Sequence, residues 1–180
     1  IAGELDASGA LTKRFIYGEK VNVPELMVDV VSGAVYRIVT DQLGSPVLVV
    51  NVANTSDLLL RAEYDAFGNR TVLAGEGDAV PFGFAGGLYD EDTGLVRFGA
   101  RDYEPVMGRW VTKDPIRWEG GQGNFYVYVG NDPVNRRDPT GTEDLLIEWE
   151  ELHRTRNRHN NCPPRPPDEG CGGDDRNWER

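Results

Sequence analysis

Short stretches rich in β-branched and aromatic residues alternate with polar, glycine-containing turns along residues 1–142. The turns share one form: Asp, two residues, Gly, then an apolar or β-branched stretch. It occurs in LDASGALTKRFIYG at Asp6 and Gly9, in TDQLGSPVLVVNV at Asp41 and Gly44, and in YDAFGNRTVLAG at Asp65 and Gly68. A stretched copy, YDEDTGLVRFGARDY, starts at Asp90. Asp at the first position and Gly at the fourth suit a type I β-turn, because the carboxylate accepts backbone N–H bonds and Gly tolerates the exit geometry. Flanking segments such as VYRIVT and VLVVNV are built from residues that pack on a pleated surface. The pattern predicts an all-β fold of antiparallel hairpins in a meandering sheet with one buried face. Such hairpins cannot bury their apolar faces singly, so neighbours must stack.

The pattern changes at Gly141 and Thr142. In EDLLIEWEELHRTRNR, Leu145, Leu146, Trp149 and Leu152 form a helical stripe, opened by Glu143 and Asp144 and closed by Arg154, Arg156 and Arg158. This predicts one short helix over about 143–158. Thr140 with Glu143 stands at capping-box spacing, and Thr142 is itself a candidate cap for that helix. Residues 159–180 are rich in Pro, Gly and charge and are expected to be a disordered tail. The expected organisation is a core domain over 1–142 and a C-terminal extension over 143–180.

Composition narrows the function classes. A net charge of -11 opposes binding to nucleic acid or an anionic membrane surface over the whole fold. The apolar stretch Pro46 to Ala53 falls far short of the about 20 residues that span a bilayer, so no membrane span is expected. The first residue, Ile1, sits inside a repeat-like unit, and the chain reads as part of a longer protein whose export signals would lie upstream. Both cysteines, Cys162 and Cys171, lie in the tail, so the core is not a disulfide scaffold, and two thiols do not complete a zinc site. His153 and His159 lack ligand-spaced partners and read as solvated residues at a helix end. The loops at Gly68 and Gly120 lack the Lys and helix start of a phosphate cradle. No cofactor or metal is expected. Trp110, Trp118, Phe125, Tyr126 and Tyr128 lack basic interleaving and read as core aromatics rather than as a base-stacking platform.

The segments YRIVTDQLGSPVLVV, YDAFGNR, GLYDEDTGLVRFGARDYEPVMGRWVTKDPI and NFYVYVGNDPVNRRDPTG together closely resemble the RHS-repeat-associated core domain of bacterial Rhs polymorphic toxins and of the C component of Tc insecticidal toxins. The resemblance covers roughly residues 10–142. It implies YD-repeat hairpins at the end of a β-shell that encloses a C-terminal toxin segment, and an aspartyl autoprotease that frees that segment. The protease residues carry over onto Arg101, Asp102 and Asp114. The cleavage motif carries over onto Pro133, Asp138, Pro139, Gly141 and Thr142, with the cut near residue 142. Implied partners are the upstream repeats of the same chain, the C-terminal toxin segment, an immunity protein and a secretion apparatus; the implied location is secreted or at a bacterial cell surface.

The chemistry of such a pair is plain. Peptide hydrolysis needs one carboxylate ionised, to take a proton from water, and one protonated, to donate to the amide, and two crowded aspartates share a proton in that way. An arginine can hold one of them ionised or bind the developing oxyanion. Tethering in cis makes modest groups sufficient. A second reading stays open on the residues alone, because Asp before Pro also punctuates turns, and the chain has it at Asp114, Asp132 and Asp138. In that reading the chain is a non-cleaving structural YD-repeat module of a secreted or cell-surface protein. The family pattern ends in Leu where this chain has Thr142, and a Leu there would fill an apolar subsite.

Overall fold

The computed structural model describes residues 1–18, 20, 22–116, 123–142 and 145–146. These residues belong to one compact unit, Ile1–Ile147. The disordered-tail expectation for 159–180, both cysteines, both histidines and Trp118 lie outside the described residues.

Seven strands run as an antiparallel meander in chain order: β1 (Gly3–Leu5), β2 (Leu11–Ile16), β3 (Leu26–Asp29), β4 (Val35–Thr40), β5 (Pro46–Asn51), β6 (Leu58–Tyr64) and β7 (Arg70–Gly75). The Asp-x-x-Gly turns that the sequence predicts close three of the hairpins, β1–β2, β4–β5 and β6–β7. Gly9, Gly44 and Gly68 donate their N–H groups to the carbonyls of Asp6, Asp41 and Asp65, at 3.0, 3.2 and 3.0 Å. The carboxylate does the rest: Asp41 Oδ1 accepts from the N–H groups of Leu43, Gly44 and Ser45 at 3.0, 2.9 and 2.8 Å. Such a turn satisfies its own backbone donors and delivers the two strands already in register. Gly68 adds a reason of its own: at φ +89 it is in the left-handed region, and a Cβ would stand 2.3 Å from the Phe84 ring.

Along β4 and β6, buried and accessible positions alternate, so one face of the meander is apolar. Phe15, Met27, Ile38, Val49 and Leu60 from that face pack with Val80 and Phe82. A second sheet follows, four-stranded in the order β11-β10-β9-β8, from β8 (Leu88–Tyr89), β9 (Val96–Phe98), β10 (Arg101–Glu104) and β11 (Arg109–Trp110). It carries an aromatic core in which Phe84, Phe98, Tyr103, Trp110 and Tyr128 meet, with Tyr103 and Tyr128 centroids 4.3 Å apart. The Tyr103 hydroxyl donates to the Phe67 carbonyl at 2.8 Å and ties this core to the β6–β7 turn. Of the aromatics expected in the core, Trp110 and Tyr128 are buried there, Phe125 is half-buried, and Tyr126 is exposed. Tyr126 falls in a backbone-bonded segment whose contribution to the sheet is its carbonyl, which accepts from Trp110 N–H at 2.9 Å.

The expected helix is corrected at its start. Leu145–Leu146 form a strand, β13, antiparallel to β12 (Arg136–Arg137), with Arg136 opposite Leu146 and Arg137 opposite Leu145. Helix periodicity there yields to pairing with a neighbouring strand, and a two-residue apolar pair is ambiguous between the two periods. The rest of the predicted helix lies outside the described residues. The ladder bridges the expected 142/143 boundary. Among the described residues no helix is long and apolar enough to cross a membrane.

Candidate functional site

Arg101 opens β10 and is buried, with only 3% of its side chain accessible. A buried guanidinium must find partners for its fork of donors, and this one finds three acceptors. Nε donates to the Gly141 carbonyl at 2.5 Å, Nη2 to Asp138 Oδ2 at 3.0 Å, and Nη1 faces Asp114 Oδ2 at 3.1 Å. Below, the Trp110 ring lies 4.0 Å from Cζ, offering its electron-rich face. Neighbours 37 and 40 residues away in sequence therefore converge on one side chain.

One cation here faces two carboxylates, and backbone dipoles make up the difference. Asp114 Oδ1 accepts from the Ile116 N–H at 2.9 Å, which also fixes the turn at Pro115. Asp138 is fully buried; its Oδ1 accepts from Thr140 Oγ1 at 3.0 Å and from the Thr142 N–H at 3.1 Å. Thr140 and Thr142 hydroxyls lie 3.0 Å apart. The segment Asp138–Thr142 is thus a closed turn clasped to β10 through Arg101.

The turn also docks by backbone. The Ala100 N–H donates to the Thr140 carbonyl at 2.9 Å. Gly141 has φ +71, and a Cβ would lie 2.2 Å from the Phe98 carbonyl oxygen, so no other residue fits without displacing β9. Pro139 lines a groove with Phe98 and Gly99, and Pro133 is buried at the head of the loop before β12.

Asp102 is placed elsewhere. It sits opposite Arg97 in the β9–β10 ladder, and Arg97 grips it with two donors, Nε on Oδ1 and Nη2 on Oδ2, the latter at 2.8 Å. That pairing raises the Arg97 pKa through the hydrogen bond and the charge of Asp102. Asp102 lines a shallow concavity with Asp90 and Thr93. Arg101 and Asp114 therefore come together with the motif residues Asp138, Gly141 and Thr142, while Asp102 is held by a different arginine.

Sequence reasoning missed three participants. Asp138 was expected as part of a motif, not as a buried ligand of Arg101. Arg97 was legible: VRFGARDY is a hairpin about Gly99 and Ala100, which sets residue 97 against residue 102. Trp110 under the guanidinium had no sequence signal beyond its presence in the neighbouring strand.

Residues 1–134 match the Teneurin YD-shell family. The chain is 32% identical over 143 residues to the tRNA3(Ser)-specific nuclease WapA of Bacillus spizizenii, covering 77% of this chain and 6% of that protein. To Teneurin-3 of Danio rerio it is 32% identical over 114 residues, 61% of this chain and 4% of the relative. Among solved structures, the TcdB2-TccC3 crystal structure superposes with a TM-score of 0.56 at 22% identity, covering 76% of this chain and 7% of that one, a likeness of fold. The chain thus spans a small part of each relative.

Proposed function

The chain belongs to the Teneurin YD-shell family, and on that premise we propose that it is the C-terminal core of an Rhs-type toxin, closing part of a β-shell and cutting its own chain near Thr142 to free the segment that follows. The observation that carries this reading is Arg101, whose guanidinium engages Asp114 and the exit segment, through Asp138 and the Gly141 carbonyl, at once. A peptide held this way is already bound, so the reaction starts with the substrate in place.

In this reading Arg101 Nε polarises the backbone next to the bond to be cut, and Asp114 takes the proton from the attacking water. The leaving nitrogen of residue 143 needs a proton from a second carboxylate; in this reading that is Asp102, which first leaves Arg97, turns from the outer face of β10 toward the exit segment and takes up a proton from solvent, then gives that proton to the nitrogen while Asp114 returns its own to solvent. Parting Arg97 from Asp102 costs little, because the two form a surface pair, 57% and 29% exposed, that solvent screens. The products are a carboxylate at Thr142 and a free amine at Glu143. The partners in this reading are the upstream repeats, the released segment, an immunity protein and a bacterial export apparatus, with action outside the producing cell.

A second reading is favoured by one specific observation, that Asp102 and Asp114 are each paired to a separate arginine. There the module does not cut, and Asp138–Thr142 is a permanent strap of the shell. Intact mass spectrometry of the full-length protein separates the two. Two fragments dividing near Thr142, with Asp102→Asn and Asp114→Asn both uncut, support the autoprotease. One uncut mass in all three leaves the strap.

A further inference from the structure

The family pattern places Leu where this chain has Thr142, and an apolar side chain there would be read by an apolar subsite. The turn shows a different means of reading the same position. Thr140 has a single hydroxyl proton, and it is donated to Asp138 Oδ1. The 3.0 Å contact between the two threonine hydroxyls must then run from Thr142 Oγ1–H to Thr140 Oγ1. The Thr142 N–H donates to the same Asp138 Oδ1 at 3.1 Å. Residue 142 is therefore tied twice to one carboxylate, once directly and once through Thr140. That carboxylate is itself anchored on Arg101 at 3.0 Å. Hydrogen bonds in such a chain polarise one another, and the buried end at Asp138, fully inaccessible, gives the chain a fixed origin.

We propose that this relay, Thr142 to Thr140 to Asp138, determines the specificity of the cut by setting the register of residue 142 through its hydroxyl and its N–H, in place of an apolar subsite. The inference rests on the autoprotease reading above and names its specificity element. Thr140 and Thr142 act as positioning residues: neither exchanges a proton with the scissile bond. The relay gives the Thr142 hydroxyl a partner that the family's Leu could not use.

The test uses the full-length protein and two readouts, the rate and position of cutting by intact mass, and hydrogen exchange at the Thr142 amide. Thr142→Leu discriminates best, because an apolar subsite predicts faster cutting and the relay predicts slower cutting. The expected slowing is about 2- to 10-fold, the worth of one hydrogen bond, with a scatter of cut sites around residue 142. Thr140→Val is expected to do the same and to speed Thr142 amide exchange about 2- to 10-fold, while Thr140→Ser, which keeps the hydroxyl, restores both. Faster cutting in Thr142→Leu, or unaltered cutting in Thr140→Val, overturns the proposal. Should the parent chain not cut at all, the autoprotease reading fails and overturns the specificity role with it, and the exchange data then decide only whether the relay orders residue 142: faster exchange in Thr140→Val with rescue by Ser shows that it does, and unchanged exchange that it does not.

Discussion

Arg101 and Asp102 are neighbours in β10, yet their side chains serve opposite faces of it. The guanidinium of Arg101 is buried among Asp114, Asp138, Gly141 and Trp110, whereas the carboxylate of Asp102 reaches outward to Arg97. The alternation of a strand compels this, since successive Cβ atoms point to opposite faces. An adjacent Arg-Asp pair on a strand is for that reason two separate devices, one clasping the Asp138–Thr142 turn and one pairing a carboxylate with Arg97 at the surface.

Removing the anchor should be costly. Arg101→Ala leaves Asp138 and Asp114 without their cation in a buried site, and breaking such a pair costs on the order of 3–5 kcal/mol. Arg101→Lys keeps the charge but not the fork that meets three acceptors, and should fall between the two. Urea unfolding of the full-length protein reads both, and a change below about 0.5 kcal/mol in Arg101→Ala, the range of an ordinary surface substitution, would contradict the anchoring role.

Arg97→Ala should leave stability close to that of the parent, since the pair it breaks is exposed and screened by solvent. It also frees Asp102. If Asp102 supplies the acid, this variant cuts faster than the parent in a time course of intact mass; a slower or unchanged rate would remove Asp102 from the reaction.

Gly141→Ala and Gly94→Ala form a controlled pair. Their φ angles are +71 and +72, so the conformational strain is matched, but a Cβ on Gly94 meets open space while one on Gly141 meets the Phe98 carbonyl at 2.2 Å. Gly94→Ala should cost about 1–2 kcal/mol, the penalty of a left-handed residue, and Gly141→Ala clearly more. Equal losses on thermal unfolding would mean that the exit turn does not press against β9.

Stability should fall at both ends of the pH scale. Hydrogen bonds from Ser8 to Asp6, from Ser32 to Asp29 and from Thr93 to Asp90 hold these carboxyls below their usual 3.8. A folded pKa below the unfolded one means stability that is fully present above about pH 3.8 and is lost as the pH falls through the lowered values. Burial pushes the Tyr64 hydroxyl up to about 12 and the Tyr103 and Tyr128 hydroxyls also upward. For these the sign reverses: stability is present below pH 10 and is lost as the pH rises toward the folded values. Thermal unfolding from pH 2 to pH 11 should show both limbs, and an acid limb unaltered in Asp6→Asn combined with Asp29→Asn would remove the turn aspartates as its cause.

The hairpins were legible because their causes are local. Asp41, Gly44 and Ser45 close a turn with bonds that span no more than four residues, and β4 alternates in burial as its residue types do. The separation of Asp102 from Arg101 was implicit in the same alternation, and Arg97 in the hairpin spacing. Leu145 and Leu146 mark where local reading fails: two leucines suit either period, and a partner strand at Arg136–Arg137 decided for β.

By itself, then, the sequence determined an all-β meander, its turn positions and a family likeness that marks Arg101, Asp102, Asp114 and the residues around Thr142. Only the tertiary structure decided which of these meet. Asp138 reaches Arg101 across 37 residues and the Gly141 carbonyl across 40, through the burial of one guanidinium that must satisfy every donor it takes from water. No local pattern encodes such a demand, because it arises only once Trp110 and the aromatic core have excluded solvent from around the charge.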